Sequence, residues 1–261
     1  MRRLVGVLLL AGGGAVPPPG QATDSAAVQV RYEDGLRFEA ADGRFATRVQ
    51  LRGQFRFASE NDDDDRPDGR DGSGDSRTFE VRRARLKADG TAWRPWLRWS
   101  LEQELAEPAL LDLRVTIRPW KRLGVRLGQY KIPYNRERVD SSGQQQFVER
   151  SIVNRAFTVD RQQGVAALGR LFEGSWLDSS YAAGVYTGTG RGGGADDDGW
   201  PMLLGRWQWN FLGRELPFTQ SDVARRPEAA ASLAFARVAN RSRFTRFSSA
   251  GGGQLEGFAA G

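Results

Sequence analysis

The stretch RFATRVQLRGQFRF, residues 44–57, alternates strictly between two kinds of side chain. Because successive side chains of a β-strand point to opposite faces, this alternation predicts a strand with one apolar face and one basic face. The apolar face carries Phe45, Thr47, Val49, Leu51, Gly53, Phe55 and Phe57. The opposite face carries Arg44, Ala46, Arg48, Gln50, Arg52, Gln54 and Arg56. A half-buried strand of a soluble sheet also alternates, but it rarely places four arginines on one face without a counter-charge.

Two-faced runs of the same kind recur along the chain. The clearest lie at residues 97–105, 111–118, 123–128 and 203–211. Each is about the length that a tilted strand needs to cross a bilayer. Further strands are predicted at 35–41, 163–172, 179–187, 229–239 and 254–261. The segment TFEVRRARLKADG (78–90) changes phase at Arg82–Arg83, which suggests a β-bulge.

The connections between these strands alternate between long and short. Tight turns are predicted near 90–96, 119–121 and 173–177, and long loops at 58–77, 132–161, 188–200 and 240–252. Two connections depart from the alternation, because 106–108 is short and 212–227 is long. Outer-membrane up-and-down barrels have long loops at one end and short turns at the other. Tryptophan, which favours the membrane interface, lies near the short turns at Trp93, Trp96, Trp120 and Trp176.

The amino terminus has the features of a secretory leader. In MRRLVGVLLLAGGG, two arginines precede a short apolar run and small residues follow, so residues 1–22 are predicted to be a signal peptide. No other apolar run is long enough for a transmembrane helix, so an exported chain of this kind would enter a membrane only as a closed barrel.

The composition excludes several classes of chemistry. The 261 residues include no cysteine and no histidine, which excludes disulfides, Ser-His-Asp and Cys-His catalysis, and most zinc sites. We therefore predict that the protein is not an enzyme and needs no cofactor or metal. The net charge of +6 suits acidic partners, but the arginines lie on strand faces and no motif for binding RNA or DNA is present, so nucleic acid is not predicted as a partner.

Three local motifs have simpler interpretations than the sites that they resemble. GTGRGG (188–193) has dinucleotide-binding spacing, but no helix follows it to bind a phosphate. The acidic stretch 61–75 departs from the calcium-loop template, with Ser76 at the position of the turn glycine, although weak divalent binding there stays open. Glu102 and Glu104 share a strand face, and charges that balance arginines explain them better than a glycosidase pair does.

Several segments, in order along the chain, resemble the phosphate-selective porin O and P family. They are FEVRRARLKADG (79–90), LLDLRVTIRPWKRLGVRLGQYKIPYNRE (110–137), QQFVERSIVNRAF (145–157), DRQQGV (160–165) and YAAGVYTGTG (181–190). The resemblance covers roughly residues 30–261 and is most specific between Gly128 and Val165.

The resemblance implies an antiparallel barrel of sixteen strands in the outer membrane of Gram-negative cells. Such barrels are often homotrimeric, and they pass anions such as phosphate or pyrophosphate through a lumen lined with arginine. The third long loop folds inward and narrows the pore; here that loop is 132–161, with Arg136, Arg138, Arg150 and Arg155 on it. Because only ten or eleven strands are predicted, we expect residues 23–261 to be the amino-terminal two-thirds of the barrel domain, a fragment without its last strands.

Arginine suits an anion pathway because it stays charged and its planar fork binds phosphate through two hydrogen bonds. In this interpretation, the apolar strand faces meet membrane lipid and the arginine faces meet a water-filled lumen. The expected anion pathway consists of Arg44, Arg48, Arg52, Arg56, Arg82, Arg114, Arg126, Lys131, Arg136 and Arg206. Glu102, Glu104 and Asp112 would partly cancel its field. Two alternatives stay open, namely a general or differently selective porin and a soluble exported β protein that binds anionic ligands.

Overall fold

The computed structural model describes residues 7–8, 28–60, 76–141, 143, 145, 150–151, 154, 158–192, 198–219, 225 and 227–242. These residues form twelve strands and one short helix, α1 (Arg136–Val139). The strands are β1 (Val7–Leu8), β2 (Val28–Tyr32), β3 (Leu36–Ala40), β4 (Phe45–Glu60), β5 (Ser76–Ala92), β6 (Arg94–Glu104), β7 (Ala109–Ile117), β8 (Gly124–Lys131), β9 (Arg161–Leu171), β10 (Ser179–Tyr186), β11 (Met202–Trp209) and β12 (Leu233–Ala239).

The order of the strands in the sheet is their order in the chain, from β1 to β12. The all-β, antiparallel, up-and-down fold predicted from the sequence is therefore confirmed. β1 consists of only two residues, inside the predicted signal peptide, and it pairs with β2. β3 to β12 correspond to ten of the predicted strands, whereas β2 was not predicted. In the described part of the chain, no helix is long and apolar enough to cross a membrane. The contacts divide the chain into unit 1 (residues 1–89 and 102–110) and unit 2 (residues 90–101 and 111–261).

In unit 2, strands β8 to β11 have one exposed face and one covered face. Across these strands, Leu127, Val165, Val185 and Leu203 stand in register, and all four side chains are exposed. The next row in register, Arg126, Ala166, Gly184 and Leu204, belongs to the covered face, where Ala166 and Leu204 are only 3% exposed. A water-soluble sheet would bury the large aliphatic row instead, so the burial is inverted relative to such a sheet.

Unit 1 has an exposed apolar face of the same kind. Leu51, Phe55 and Phe57 of β4 are each at least 65% exposed, and so is Phe79 of β5. The rings of Phe55 and Phe79 are stacked with their centroids 6.0 Å apart. The strict alternation in residues 44–57 therefore places the large apolar side chains of β4 on an exposed face of the sheet.

β5 contains the phase change predicted at Arg82–Arg83. Phe79 and Val81 are exposed at odd positions, whereas Leu86 is exposed at an even position. Between them, the backbone N–H of Ala84 donates to the carboxylate of Glu104 at 2.7 Å. An extra residue in a strand moves the following side chains to the opposite face and leaves a backbone N–H without its partner on the neighbouring strand. Both features occur here, so β5 contains the predicted β-bulge.

Tyr186 lies on the covered face in a space that glycine provides. A Cβ atom added to Gly184 would lie 2.6 Å from the ring of Tyr186, and one added to Gly164 would clash with the same ring. The freed space lets the hydroxyl of Tyr186 lie 3.1 Å from that of Tyr130. Both tyrosines belong to the core of the unit, whose other buried members are Ile132, Val159, Ala166, Met202 and Leu204.

The observed boundaries correct several predicted ones. The turn expected near 90–96 is reduced to Trp93, which has φ 58°, because β5 continues to Ala92 and β6 begins at Arg94. β12 begins at Leu233, so the strand predicted from 229 starts four residues too early and the connection expected at 212–227 extends over 210–232. The acidic stretch 61–75, most of the loop at 240–252 and the strand at 254–261 lie outside the described residues.

The connections 172–178 and 210–232 leave the same end of unit 2 and are joined around Asp178. This fully buried carboxylate accepts hydrogen bonds from Arg170, from the side-chain amide of Asn210 at 3.0 Å and from the backbone N–H of Gly174 at 2.9 Å. Burial raises its pKa, but these bonds outweigh burial and lower the pKa from 3.8 to about 2. Exposed Trp93, Trp120 and Trp176 lie in the turns at this end, as expected for an interfacial belt.

We expect Val165→Arg to destabilise the protein in lipid vesicles by about 2–4 kcal/mol, because Val165 lies near the middle of β9 on the exposed face. Urea unfolding in vesicles measures this cost, with Val165→Leu as the matched control. A cost within about 0.5 kcal/mol, as for an ordinary surface position in water, would contradict contact with hydrocarbon.

We expect Asp178 to make stability depend on acid. Its folded pKa lies below the unfolded value of about 3.9, so its contribution is complete above about pH 5 and is lost as the pH falls towards 2. Protonation of Asp178 therefore removes about 2 kcal/mol of stability. Asp178→Asn has no such group to protonate, so its stability should fall by about 2 kcal/mol less than that of the wild type over the same pH range. Unfolding measured from pH 2 to 6 tests this, with the exposed Asp42→Asn as control; equal pH slopes for wild type and Asp178→Asn would refute it.

Candidate functional site

The connection between β8 and β9, residues 132–160, contributes to the core on the covered face of unit 2. Its first residue, Ile132, and Val159 near its end are buried in the cluster that contains Tyr130 and Tyr186. The boundaries agree with the loop predicted at 132–161, except that Arg161 is the first residue of β9. The described part of this connection therefore packs against strand side chains rather than extending away from them.

Buried polar contacts anchor the connection. Asn135 caps α1 by accepting a hydrogen bond from the backbone N–H of Arg138 at 2.7 Å, and its side-chain amide donates to Asn154 at 3.2 Å. The guanidinium of Arg138, which is 5% exposed, forms an ion pair with Asp160. Burial raises the pKa of Asp160, but the guanidinium groups of Arg138 and Arg161 lower it by a larger amount. The pKa therefore lies below its ordinary value.

A second segment, residues 214–219, reaches the same face from the connection between β11 and β12. We call it the inner segment. Glu215 accepts a hydrogen bond from the hydroxyl of Ser180 at 2.7 Å, and the carbonyl oxygen of Leu216 accepts one from the side-chain amide of Gln208 at 3.2 Å. Because β8–β9 and β11–β12 are connections at opposite ends of the sheet, the two segments approach from opposite sides.

The inner segment and the β8–β9 connection meet through two arginines. Arg136 donates hydrogen bonds of 2.9 and 2.7 Å from its guanidinium to the carbonyl oxygen of Thr219. Arg206 of β11 donates to the carbonyl oxygen of Tyr134 at 3.0 Å, and its guanidinium carbon lies 4.8 Å from the ring centroid of Phe218. The two guanidinium groups are also close enough to interact electrostatically.

Two cavities border Arg206 and Phe218. The small cavity, of about 150 Å³, is lined by Arg118, Arg126, Tyr130, Arg206, Glu215 and Phe218 among others. The large cavity, of about 430 Å³, is lined by Tyr134, Arg136, Arg206, Leu216, Pro217 and Phe218 among others. All of these residues belong to unit 2.

Three of the predicted pathway residues of unit 1, Arg44, Arg48 and Arg56, form ion pairs with carboxylates in the described part of the chain. Arg44 pairs with Asp42 at 3.6 Å, Arg48 with Asp89 at 3.1 Å and Arg56 with Glu80 at 3.7 Å. Arg52 lies within the electrostatic range of Arg85, Glu102 and Glu104. Arg82 is exposed.

The predicted pathway residues of unit 2 have different surroundings. Within the described residues, Arg114, Arg126 and Arg206 form no ion pair with a carboxylate. Arg126 donates to the hydroxyl of Thr116 at 3.2 Å, and its guanidinium lies 5.4 Å from the ring centroid of Tyr130. Lys131 donates to the carbonyl oxygen of Asp140 at 2.9 Å.

The other arginines expected on the constricting loop have structural contacts. Arg138 is paired with Asp160, and Arg150 donates to the carbonyl oxygens of Glu137 and Asp140 at 3.1 and 3.0 Å. Arg155 lies outside the described residues. No group of three or more acidic, histidine or cysteine side chains that could hold a metal ion occurs in the part of the chain that the structure describes.

Sequence reasoning missed Arg118, Phe218 and Arg85. Arg118 lies near Arg126 and borders the small cavity. The signal that could have found it is the sequence alternation that places Arg118 on the same face as Arg114, although β7 itself ends at Ile117. Arg85 is the partner of Glu102 at 3.1 Å and of Glu104 at 2.8 Å. No local pattern marks Phe218, because its position depends on the path of the inner segment.

We expect Asp160→Asn to lower the free energy of unfolding by about 3–5 kcal/mol, because it removes a carboxylate that pairs with the buried charge of Arg138. The same change should make the 132–160 connection more sensitive to trypsin. Urea unfolding and limited proteolysis measure the two effects, with the exposed Asp198→Asn as control. Unchanged stability and unchanged cleavage would show that Asp160 does not anchor the connection.

Comparison with known proteins assigns the chain to a family. A search of curated proteins found no match. A sequence model of the family described as phosphate-selective porin O and P matches residues 49–241, which include β5 to β12 and most of β4. That family consists of channels of the outer membrane and not of enzymes, and its fold is all-β, as in this chain. The chain is therefore a member of the phosphate-selective porin O and P family and an outer-membrane protein.

Proposed function

We propose that the protein is a passive channel for small anions, phosphate among them, and that the anions pass along the arginines on the covered face of unit 2. Family membership supports passage of phosphate in general. The observation that carries the residue-level proposal is that Arg114, Arg126 and Arg206 form no carboxylate ion pair in the described part of the chain. Such arginines keep their positive potential available for a passing ion.

The electrostatics of the small cavity favour an anion over a cation. Arg114 and Arg118 lie within electrostatic range of Arg126. Asp112, which also lies within range of Arg114, forms its ion pair with Arg161.

Glu215 is the one carboxylate among the described residues that line the cavity, and it accepts a hydrogen bond from Ser180 and lies 3.7 Å from Arg170. An entering anion relieves the mutual repulsion of the arginines, whereas a cation adds to it.

The contacts of the arginines hold them in place without neutralising them. The guanidinium group of Arg126 is oriented by Thr116 and by the face of Tyr130. That of Arg206 is oriented by a carbonyl oxygen, by Gln208 and by the face of Phe218. None of these groups carries a formal charge. A cavity of about 150 Å³ has room for about five waters at about 30 Å³ each, so a partly hydrated phosphate fits. Several weak sites in a row also suit conduction, because an ion must leave as readily as it enters.

The proposal also covers the membrane lipid, pyrophosphate and the oligomeric state. The exposed apolar faces, with Val165 and Leu203 on unit 2, are the contact with membrane lipid, because hydrocarbon removes the cost of exposing them to water. Pyrophosphate passes by the same arginines, since it carries the same phosphoryl oxygens. As the family resemblance implies, the working form is a homotrimer.

A general or differently selective porin is the second candidate. The ion pairs of unit 1 favour it, because Arg48 with Asp89 and Arg85 with Glu102 and Glu104 leave little net field. The two candidates differ in how phosphate affects a chloride current. The anion channel predicts strong block by phosphate at millimolar concentration, whereas a general porin predicts weak block.

We expect Arg126→Gln to lower the chloride-to-potassium permeability ratio by roughly fivefold. This factor corresponds to about 1 kcal/mol, the effect of one charge acting through water at about 4 Å. Reversal potentials in planar bilayers under a potassium chloride gradient measure the ratio. Cation preference of the wild-type channel would defeat the proposal while leaving the porin assignment intact.

Two control variants separate charge from shape. Arg126→Lys keeps the charge but loses the planar fork, so it should keep the anion preference and weaken the block by phosphate. The double variant Arg48→Gln with Asp89→Asn removes a neutralised pair and should leave the ratio unchanged. An equal fall in the ratio for the double variant would mean that the field does not come from the arginines of unit 2.

A further inference from the structure

We propose that Phe218 is a size filter, which limits the size of the anions that pass from one cavity to the other. This inference rests on the proposed anion channel and adds a specificity-determining residue to it. It depends on three observations: Phe218 lies at the boundary of the two cavities, a tight turn presents its ring, and hydrogen bonds hold the inner segment on both sides of that turn.

Few side chains form the boundary between the two cavities. In the described part of the chain, Arg206, Gln208 and Phe218 line both of them. Arg206 and Gln208 lie two positions apart on β11, so they project from the same face of the sheet. Phe218 belongs to the inner segment and faces them. An anion that moves from one cavity to the other therefore passes between β11 and the ring of Phe218.

The ring of Phe218 lies directly against the arginine of this boundary. The guanidinium carbon of Arg206 is 4.8 Å from the ring centroid, and the same guanidinium donates to the side-chain oxygen of Gln208 at 3.0 Å. A cation over the face of an aromatic ring is attracted to it. The strand side of the boundary is therefore in contact with the ring, and the passage is narrow at this point.

A tight turn presents the ring. The backbone N–H of Thr219 donates to the carbonyl oxygen of Pro217 at 2.9 Å, and a bond between residues i and i+2 defines a γ-turn with Phe218 at its centre. Pro217 adds a restriction of its own, because its ring fixes the backbone angle φ. The backbone on both sides of Phe218 is thus constrained, and the phenyl ring projects from the apex of the turn.

Hydrogen bonds hold the inner segment before and after this turn. Before it, Glu215 accepts from the hydroxyl of Ser180 at 2.7 Å, and the carbonyl oxygen of Leu216 accepts from a side-chain amide of β11 at 3.2 Å. After it, the carbonyl oxygen of Thr219 accepts two hydrogen bonds from Arg136. The ring therefore narrows the passage as a fixed obstacle and not as part of a free loop.

A small anion still meets positive charge at the boundary. The described contacts of Arg206 use two of its five N–H donors, one for the carbonyl oxygen of Tyr134 and one for Gln208. Phe218 covers a face of the guanidinium, whereas the N–H donors lie in its plane. Because the ring restricts the width and Arg206 supplies the charge, chloride and phosphate should pass and larger organic anions should be hindered.

The test measures two permeability ratios in planar bilayers. Reversal potentials with chloride on one side and gluconate on the other give the gluconate-to-chloride ratio, and a potassium chloride gradient gives the chloride-to-potassium ratio. We expect Phe218→Ala to raise the gluconate-to-chloride ratio by roughly fivefold, because removal of the ring widens the passage. If Phe218→Ala does not fold, Phe218→Leu and Phe218→Trp still test the filter, because the ratio should fall in the order leucine, phenylalanine, tryptophan.

Leu216→Ala is the matched control. It shortens a side chain of the same segment that, in the described part of the chain, lines the large cavity alone, so both ratios should keep their wild-type values. An equal rise of the gluconate-to-chloride ratio in Leu216→Ala would overturn the filter. So would a Phe218→Ala variant whose chloride-to-potassium ratio falls while its gluconate-to-chloride ratio is unchanged, because Phe218 would then only position Arg206.

Neutral solutes separate this inference from the proposed function. If the wild-type channel prefers cations, the proposed function fails, but liposome swelling in glucose and in sucrose still tests the filter, because neither sugar is charged. Phe218→Ala should raise the sucrose-to-glucose ratio of swelling rates by roughly threefold, and Leu216→Ala should not. An unchanged ratio in Phe218→Ala refutes the filter even if reversal potentials confirm an anion channel.

Discussion

The inability of hydrocarbon to accept or donate hydrogen bonds is the constraint on which this structure depends. A chain that crosses it as strands must pair its backbone groups with neighbouring strands and present apolar side chains outward. The row Leu127, Val165, Val185 and Leu203 does so, with each side chain exposed and each backbone in register with the next. The covered face consequently receives the polar and charged side chains that a soluble protein would turn to water.

Once charges are confined to one face, their pairing decides what that face can do. In unit 1 the arginines stand beside carboxylates, and the half-buried cluster of Arg85, Glu102 and Glu104 is held by bonds of 2.8 and 3.1 Å. In unit 2, Arg126 and Arg206 are held by hydroxyl, carbonyl and amide oxygens and by aromatic rings. Both arrangements fix the side chains, but the groups that contact Arg126 and Arg206 carry no formal charge.

The connections, more than the strands, shape the space in which that field acts. The 132–160 connection and the inner segment approach from opposite ends of the sheet and meet where Arg136 binds the carbonyl oxygen of Thr219. Their contact creates two cavities of different size and polarity beside Arg206. One strand residue, Arg206, thereby borders both cavities, and so does Phe218 of the inner segment.

The sequence by itself determined ten of the strands, β3 to β12, together with their two faces and the family, because each of these follows from a local period or a contiguous motif. The alternation in residues 44–57 predicts the exposed phenylalanines of β4, and the phase change at Arg82–Arg83 predicts the switch in β5. Only the tertiary structure decided which arginines are neutralised, since Arg48 and Asp89 are 41 residues apart. It also decided that Phe218 lies against Arg206, because no local pattern specifies the path of a connection across a sheet.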